Sequence, residues 1–214
     1  MKKALILIIA GMCLFRSIGM AQKTEVGITG GVTSSNIYGK MGGLDTRGDS
    51  RTGFTVGMIL DVPVGKTKIT FQPGLHYLQK GEYTKKTSSE KDAVALRYAE
   101  FQFNFIHYSG KKNRIFLGIG PTLALNLPSK KVVVTDNSRT ETTLTFGKLS
   151  SNDYVGADWG ANGIIGVRFK NNLYFAVNYT FGIRNLIPVP QGDDHLRNGC
   201  LGVRFGCFFK NQKK

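Results

Sequence analysis

The stretch "NLYFAVNYTFGIRN", residues 172–185, alternates at every step. Leu173, Phe175, Val177, Tyr179, Phe181 and Ile183 are apolar, and Tyr174, Ala176, Asn178, Thr180, Gly182 and Arg184 stand between them. A period of two means a β-strand, because successive side chains leave opposite faces. The same alternation recurs in segments 24–32, 53–62, 68–78, 95–108, 114–127, 158–169 and 198–209, which makes eight predicted strands. Segments 63–67, 109–113 and 170–172 are short enough for tight hairpin turns. Segments 33–52, 79–94, 128–157 and 184–197 are long. Long and short connections therefore fall at opposite ends of an up-and-down meander, with both termini at the short end. The long 128–157 segment holds β-branched runs around Asp136-Asn137-Ser138, which predicts a hairpin extending the fifth and sixth strands.

One parity is greasy throughout: Val26, Ile28, Phe54, Val56, Leu117, Ile119, Phe175, Val177 and Phe205 belong to it. The other is mostly small: Gly27, Thr29, Gly57, Gly74, Gly118, Gly120, Asn162, Gly166, Asn178 and Gly202. Its bulky exceptions are Ile59, Leu78, Ile106, Tyr108, Phe116 and Ile164. Two barrels fit this alternation. A lipocalin-like binder turns its apolar face inward, and a membrane barrel turns it toward lipid. A face washed by water would carry Lys and Glu, whereas this one carries Gly, Thr, Ala and Asn. Small residues suit an eight-stranded barrel, whose interior is only wide enough to be filled by side chains. The pattern thus predicts an all-β fold, an eight-stranded antiparallel up-and-down transmembrane β-barrel. Trp159, Phe169, Tyr77 and Tyr108 are candidates for interfacial aromatic belts, Tyr108 with lumenal parity.

The N-terminus changes the picture of where this barrel goes. Met1-Lys2-Lys3 precedes an uncharged run, residues 4–15, and Gly19-Met20-Ala21 supplies a small-x-small cleavage pattern. Residues 1–21 are read as a cleaved signal peptide of bacterial type and 22–214 as the barrel domain. The chain carries a net charge of +15. Lys2, Lys3 and Arg16 lie in the leader, which leaves +12, three fewer. Such a balance favours anionic neighbours. For an exported chain these are outer membrane lipid and lipopolysaccharide, not nucleic acid. Cys200 and Cys207 are too far apart on one strand for a disulfide.

Charges on the lumenal parity are few: Glu25, Asp61, Glu100, Asp158, Arg168, Arg184 and Arg204. Glu25, Asp61, Arg204, Arg168, Glu100 and Asp158 are the candidate lumenal ion network. Arg204 is expected to pair with Glu25 or Asp61, since their strands become neighbours when the barrel closes.

Six segments in order resemble the PorT-like outer membrane β-barrel family of Bacteroidetes. They are "VGITGGVTSSNI" (26–37), "FQPGLHYLQKGE" (71–82), "YAEFQFNF" (98–105), "FLGIGPTLAL" (116–125), "YTFGIRNL" (179–186) and "RNGCLGVRFGCFF" (197–209). Gln102 stands where that family usually has proline, and five polar or basic residues follow Phe209. The resemblance implies the barrel fold and an outer membrane location in a Gram-negative envelope. A founding member is associated with protein secretion across that membrane, and the family offers no catalytic residues to transfer.

Searching for chemistry returns little. "VGKT" (64–67) lacks the upstream glycine of a phosphate loop, since Leu60 stands there, and reads as a turn. His76, His107 and His195 have no metal-ligand spacing, and no cofactor is expected. Asp193-Asp194-His195 is the one cluster suited to a rim active site, and a solvated loop is the plainer reading. Lys85-Lys86 and Lys130-Lys131 are candidates for lipopolysaccharide phosphates. The sequence favours a non-enzymatic barrel that anchors external loops, or an accessory to other envelope or secretion proteins. A narrow channel, an outer membrane enzyme and a secreted lipocalin-like binder are its rivals.

Overall fold

The computed structural model describes residues 24–86, 90–110, 114–135 and 138–209. The leader, residues 111–113 of one turn, Asp136-Asn137 and the tail beyond Phe209 lie outside the described residues. Ten strands follow one another: β1 (Glu25–Met41), β2 (Leu44–Arg47), β3 (Asp49–Pro63), β4 (Ile69–Lys86), β5 (Glu90–Ser109), β6 (Arg114–Thr135), β7 (Ser138–Thr143), β8 (Ala157–Arg168), β9 (Leu173–Gly182) and β10 (His195–Phe209). Eight of them form an antiparallel ring in the order β1-β3-β4-β5-β6-β8-β9-β10, closed by β10 on β1. Closure matters in hydrocarbon, where an unpaired backbone edge has no water to satisfy it. The seam runs from Val26↔Phe209 to Lys40↔His195, and Glu25 pairs with Asp61 across β1 and β3.

The eight predicted segments are the eight barrel strands, but most run longer. Strands β1, β3, β4, β5 and β6 continue well into segments that read as long connections. The reason is physical. Beyond the hydrocarbon both faces are polar, so the period of two disappears while ladder hydrogen bonds persist. The expected hairpin in 128–157 is half right. Strand β7 returns along β6 alone, from Lys130↔Thr143 to Thr135↔Ser138, and does not run on into β8. At the other end the turns are tight. In "VGKT", Gly65 takes φ 59° and Thr67 Oγ1 donates to the Val64 carbonyl at 2.6 Å, making a hairpin turn. In the β8–β9 turn Asn172 takes φ 64°, a left-handed position that asparagine tolerates.

The greasy parity points outward. Ile119 is 67 % exposed and Phe205 62 %, within a continuous apolar wall. No water-soluble surface carries such a patch, and a lipid-facing barrel requires it. The lipocalin-like arrangement is thereby inverted. Outward aromatics gather in two rows. Phe71–Phe105 and Phe175–Phe205 lie toward the tight turns, and Phe54–Tyr77 and Tyr38–Phe181 toward the other end. On β8, Trp159 is 58 % exposed, and Phe169 just past the strand is 40 % exposed. That run of chain is about 33 Å long, or about 25 Å of height at a tilt of about 40°, which matches a membrane's apolar band. Tyr108 does not join a belt: it is 6 % exposed and points into the lumen, as its parity requires.

Inward, size is matched between neighbouring strands. A Cβ on Gly27 would stand 2.9 Å from the Phe208 ring and 3.0 Å from Ile59. Gly118 makes room for Ile106 and Ile164, Gly166 for Phe116, Gly206 for Tyr174 and Gly57 for His76. The glycines and the bulky exceptions of the lumenal parity are therefore complementary halves of one packing. Overpacking such an interior costs about 1–3 kcal/mol per site. Gly27→Val and Gly118→Val should each reduce the heat-modifiable, fast-migrating form on unboiled gels. Gly163→Val, on the exposed outer face with nothing within 4 Å of its Cβ, should leave that form unchanged. Equal behaviour of all three would refute the size-matching account.

Candidate functional site in the barrel lumen

The lumen is stacked in layers. Nearest the tight turns, Arg168 at the end of β8 reaches Glu25 at 2.7 Å and Asp61 at 3.3 Å, and donates to Asn172 Oδ1 at 3.0 Å. Its guanidinium also lies 4.1 Å from the centre of the Phe208 ring. Asp61 accepts further hydrogen bonds from Thr70 at 2.7 Å, Gln72 at 3.3 Å and Tyr108 at 3.4 Å. Beside this hub lies an apolar layer in the bore that includes Ile59, Ile106, Tyr108, Phe116, Ile164, Tyr174 and Phe208.

The middle is polar and buried. Lys80 pairs with Glu100 at 2.7 Å, and both are essentially inaccessible. Gln102 donates to Glu100 at 2.7 Å and accepts from Arg204 at 2.9 Å, while Arg204 also meets His76 Nε2 at 3.3 Å. A side branch of amides links Asn104, Asn162 and Asn178, with Thr180 on Asn162. Asp158 accepts from Asn198 at 2.9 Å, and Asn198 donates to the Tyr98 hydroxyl at 3.2 Å.

Above this, a second apolar layer closes the far end. Ile37, Leu78, Leu96 and Tyr98 come from the strands, and Leu144, Val155 and Leu186 fold in from the segments before β8 and after β9. Those two segments are thus a lid over the barrel.

The six predicted residues divide between two places. Glu25, Asp61 and Arg168 form the turn-end hub, and Glu100, Asp158 and Arg204 lie in the middle. The expected pairing of Arg204 with Glu25 or Asp61 is corrected: Arg168 takes both carboxylates, and Arg204 goes to Gln102 and His76. Face and neighbouring strands are as expected, but height is not. Arg204 pairs in register with Gly31, which stands about 20 Å along the strand from Glu25 at about 3.3 Å per residue. Arg184 lies past the end of β9 at Gly182 and is half-buried. Lys80, His76 and Gln102 went unrecognised. The parity Gly74-His76-Leu78-Lys80 carries the signal, but Lys80 falls in the 79–94 segment, whose pattern reads as a loop.

Other candidates are spent on structure. Asp194 Oδ1 accepts from the Gly42 amide at 2.8 Å and its carbonyl from Asn185 at 2.9 Å. His195 Nδ1 lies 2.9 Å from the Asp193 carbonyl. His107 is exposed on the outer face. Cys200 and Cys207 are free thiols, and among the described residues no group of His, Cys, Asp and Glu could hold a metal. Lys130 is tied to Glu141 at 2.6 Å, as is Arg139 at 2.7 Å. The side chains of Lys85 and Lys86 lie outside the described residues.

Removing one partner of a buried ion pair costs about 3–5 kcal/mol, because the other charge stays buried. Arg168→Met should destabilise by that amount in urea unfolding from lipid vesicles. A double-mutant cycle should return strong coupling between Arg168 and Asp61 and almost none between Arg204 and Asp61. The reverse ranking would refute the assignment. On the β6–β7 hairpin the Lys130 ammonium, then the Arg139 guanidinium, hold the Glu141 carboxyl down at about 2, below its ordinary 4.5. This pairing is complete above pH 4.5 and lost as pH falls through about 2. A carbon NMR titration of Glu141 should show the low midpoint, and Lys130→Gln should raise it. A wild-type midpoint at the ordinary value would contradict the pairing.

The family comparison agrees with this architecture. Residues 20–188 match the family model described as outer membrane protein beta-barrel domain. No curated protein matches the chain. Among solved structures it is similar to the attachment invasion locus protein Ail of Yersinia pestis in complex with the heparin analogue sucrose octasulfate, at 10 % identity over 87 % of this chain and 99 % of that one, with a TM-score of 0.44. It is also similar to Neisserial surface protein A, at 13 % identity over 86 % and 97 %, with a TM-score of 0.47. The outer membrane enzyme PagL is similar at 14 % identity over 82 % and 98 %, with a TM-score of 0.44. The chain belongs to the outer membrane protein β-barrel domain family, and the outer membrane is its location.

Proposed function

We propose that this is a non-enzymatic, PorT-like outer membrane barrel that carries a rigid extracellular platform. It acts in envelope structure, in surface interaction or as an accessory to secretion. Residues 1–21 are its signal peptide, the tight turns face the periplasm, and the tall β4–β5–β6–β7 wall stands outside the cell. The observation that carries this reading is the filled bore. Two apolar layers, with the buried Lys80–Glu100 ion pair and its polar neighbours between them, occupy the bore, which weighs against the channel. Within Asp193-Asp194-His195 the Asp194 carboxylate is engaged in holding its loop to the β1–β2 turn, which weighs against the enzyme. The partners are outer-leaflet lipid and lipopolysaccharide, with envelope or secretion proteins meeting the platform.

The test is planar-bilayer recording of the refolded full chain. No stepwise conductance is expected from the wild type. Leu186→Asp, which would put a charge into the apolar lid, should also fail to conduct because the turn-end layer still closes the bore. Discrete wild-type conductance steps would overturn the reading in favour of the narrow channel.

A further inference from the structure

The cations of this protein fall into two groups. Most of those with defined partners are neutralised by carboxylates: Lys80 by Glu100, Arg168 by Glu25 and Asp61, Lys130 and Arg139 by Glu141. Arg51 and Arg97, on either side of β4, are not. Above the Phe54–Tyr77 pair the β3–β4 register slips between Ser50 and Thr55, and β3 departs from regular pairing with β4. The slip lets Arg51 reach across to β4, where Nη1 donates to the Lys80 carbonyl at 3.3 Å. On the other side of β4, Arg97 of β5 is paired in register with Gln79 and is exposed. The two arginines thus flank β4 at Gln79–Lys80, with like charge on either side of one strand. Among the described residues no carboxylate lies within ion-pair distance of either. Glu82, the nearest acid along β4, is buried and bonded to the backbone amides of Gly48 and Ile37.

Placing two like charges together without a counter-ion costs energy unless an anion lies between them. The height selects the anion. Tyr77 and Phe54 belong to the aromatic row that ends the apolar wall, so Arg51 and Arg97 stand at the level of lipid headgroups. Guanidiniums bind phosphate through paired, charge-assisted hydrogen bonds, and the Tyr77 hydroxyl can add a third donor.

We propose that Arg51 and Arg97, astride β4, clamp a phosphate of the outer-leaflet glycolipid, with Tyr77 beside it. The clamp rests on the outer membrane orientation given above and makes the proposed lipid contact specific. It would hold an immobilised lipid against the wall from which the β4–β5 hairpin rises, coupling that hairpin to the leaflet.

The refolded full chain in neutral detergent is titrated with bisphosphorylated lipid A, with lipid A lacking phosphates and with inorganic phosphate, and read by native mass spectrometry. The wild type should retain bisphosphorylated lipid A. Arg51→Gln with Arg97→Gln should weaken retention about tenfold or more, down to the level of the phosphate-free lipid. Lys91→Gln with Lys148→Gln, which removes equal charge from exposed positions elsewhere, should leave retention unchanged. Folding of each variant is verified by gel mobility. If the glutamine pair does not fold, Arg51→Lys with Arg97→Lys is used, and several-fold weakening is expected from loss of the planar fork. Unchanged retention in the folded clamp variant, equal loss in the control pair, or displacement of lipid A by equimolar inorganic phosphate would each overturn the clamp. A non-conducting wild type that ignores the lipid phosphates would end this inference alone. A conducting wild type would end the functional reading and leave the clamp to be judged by lipid retention.

Discussion

Filling a narrow bore is the constraint on which everything else in this protein depends. Eight strands enclose a space that is too small for an aqueous channel and too large to be left empty. The chain resolves this by pairing absence with bulk. Wherever Phe208, Phe116, Tyr174, Ile106 or His76 crosses the axis, a glycine on a facing or neighbouring strand makes way for it. The lumenal glycines are therefore volume complements. Here size order within the lumen, more than hydrophobicity, decides which interior is stable.

The two apolar layers created by this packing explain how so many charges survive inside. Excluding water raises the cost of every unpaired ion, and each of the three principal buried cations has its partners fixed by geometry. The Arg168 hub joins β8 to β1 and β3 across the bore, and the Arg204 cluster joins β10 to β4 and β5. These contacts cross the barrel and do not run along neighbouring strands. They fix the height of distant strands relative to one another, which the ladder alone leaves open to slippage by steps of two residues.

Outside, the same strands meet three environments in vertical order. An apolar wall bounded by aromatic rows is followed by arginines without acidic partners, and then by polar strands, with Lys130, Arg139 and Glu141 neutralising one another on the β6–β7 hairpin. Each zone follows from the solvent it meets. Hydrocarbon selects large apolar groups, headgroups select amphipathic rings and cations, and water permits paired surface charge.

Much of this was already written in the sequence. Alternation along segments such as 172–185 requires strands. The Gly, Thr and Asn character of one parity requires it to face inward, and Leu60 ahead of "VGKT" rules out a phosphate loop. These are local consequences of a two-residue period and hold wherever the strands go. Height was decided only by the assembled barrel. Whether Arg204 or Arg168 meets Asp61 depends on register summed around eight strands, and no single segment carries that sum. The lid formed by Leu144, Val155 and Leu186 was hidden for a related reason: its residues lie outside any period, and their burial follows from the bore they close. The convergence of Arg51 and Arg97 likewise depends on a slip in β3–β4 pairing, a property of two strands together that neither encodes alone.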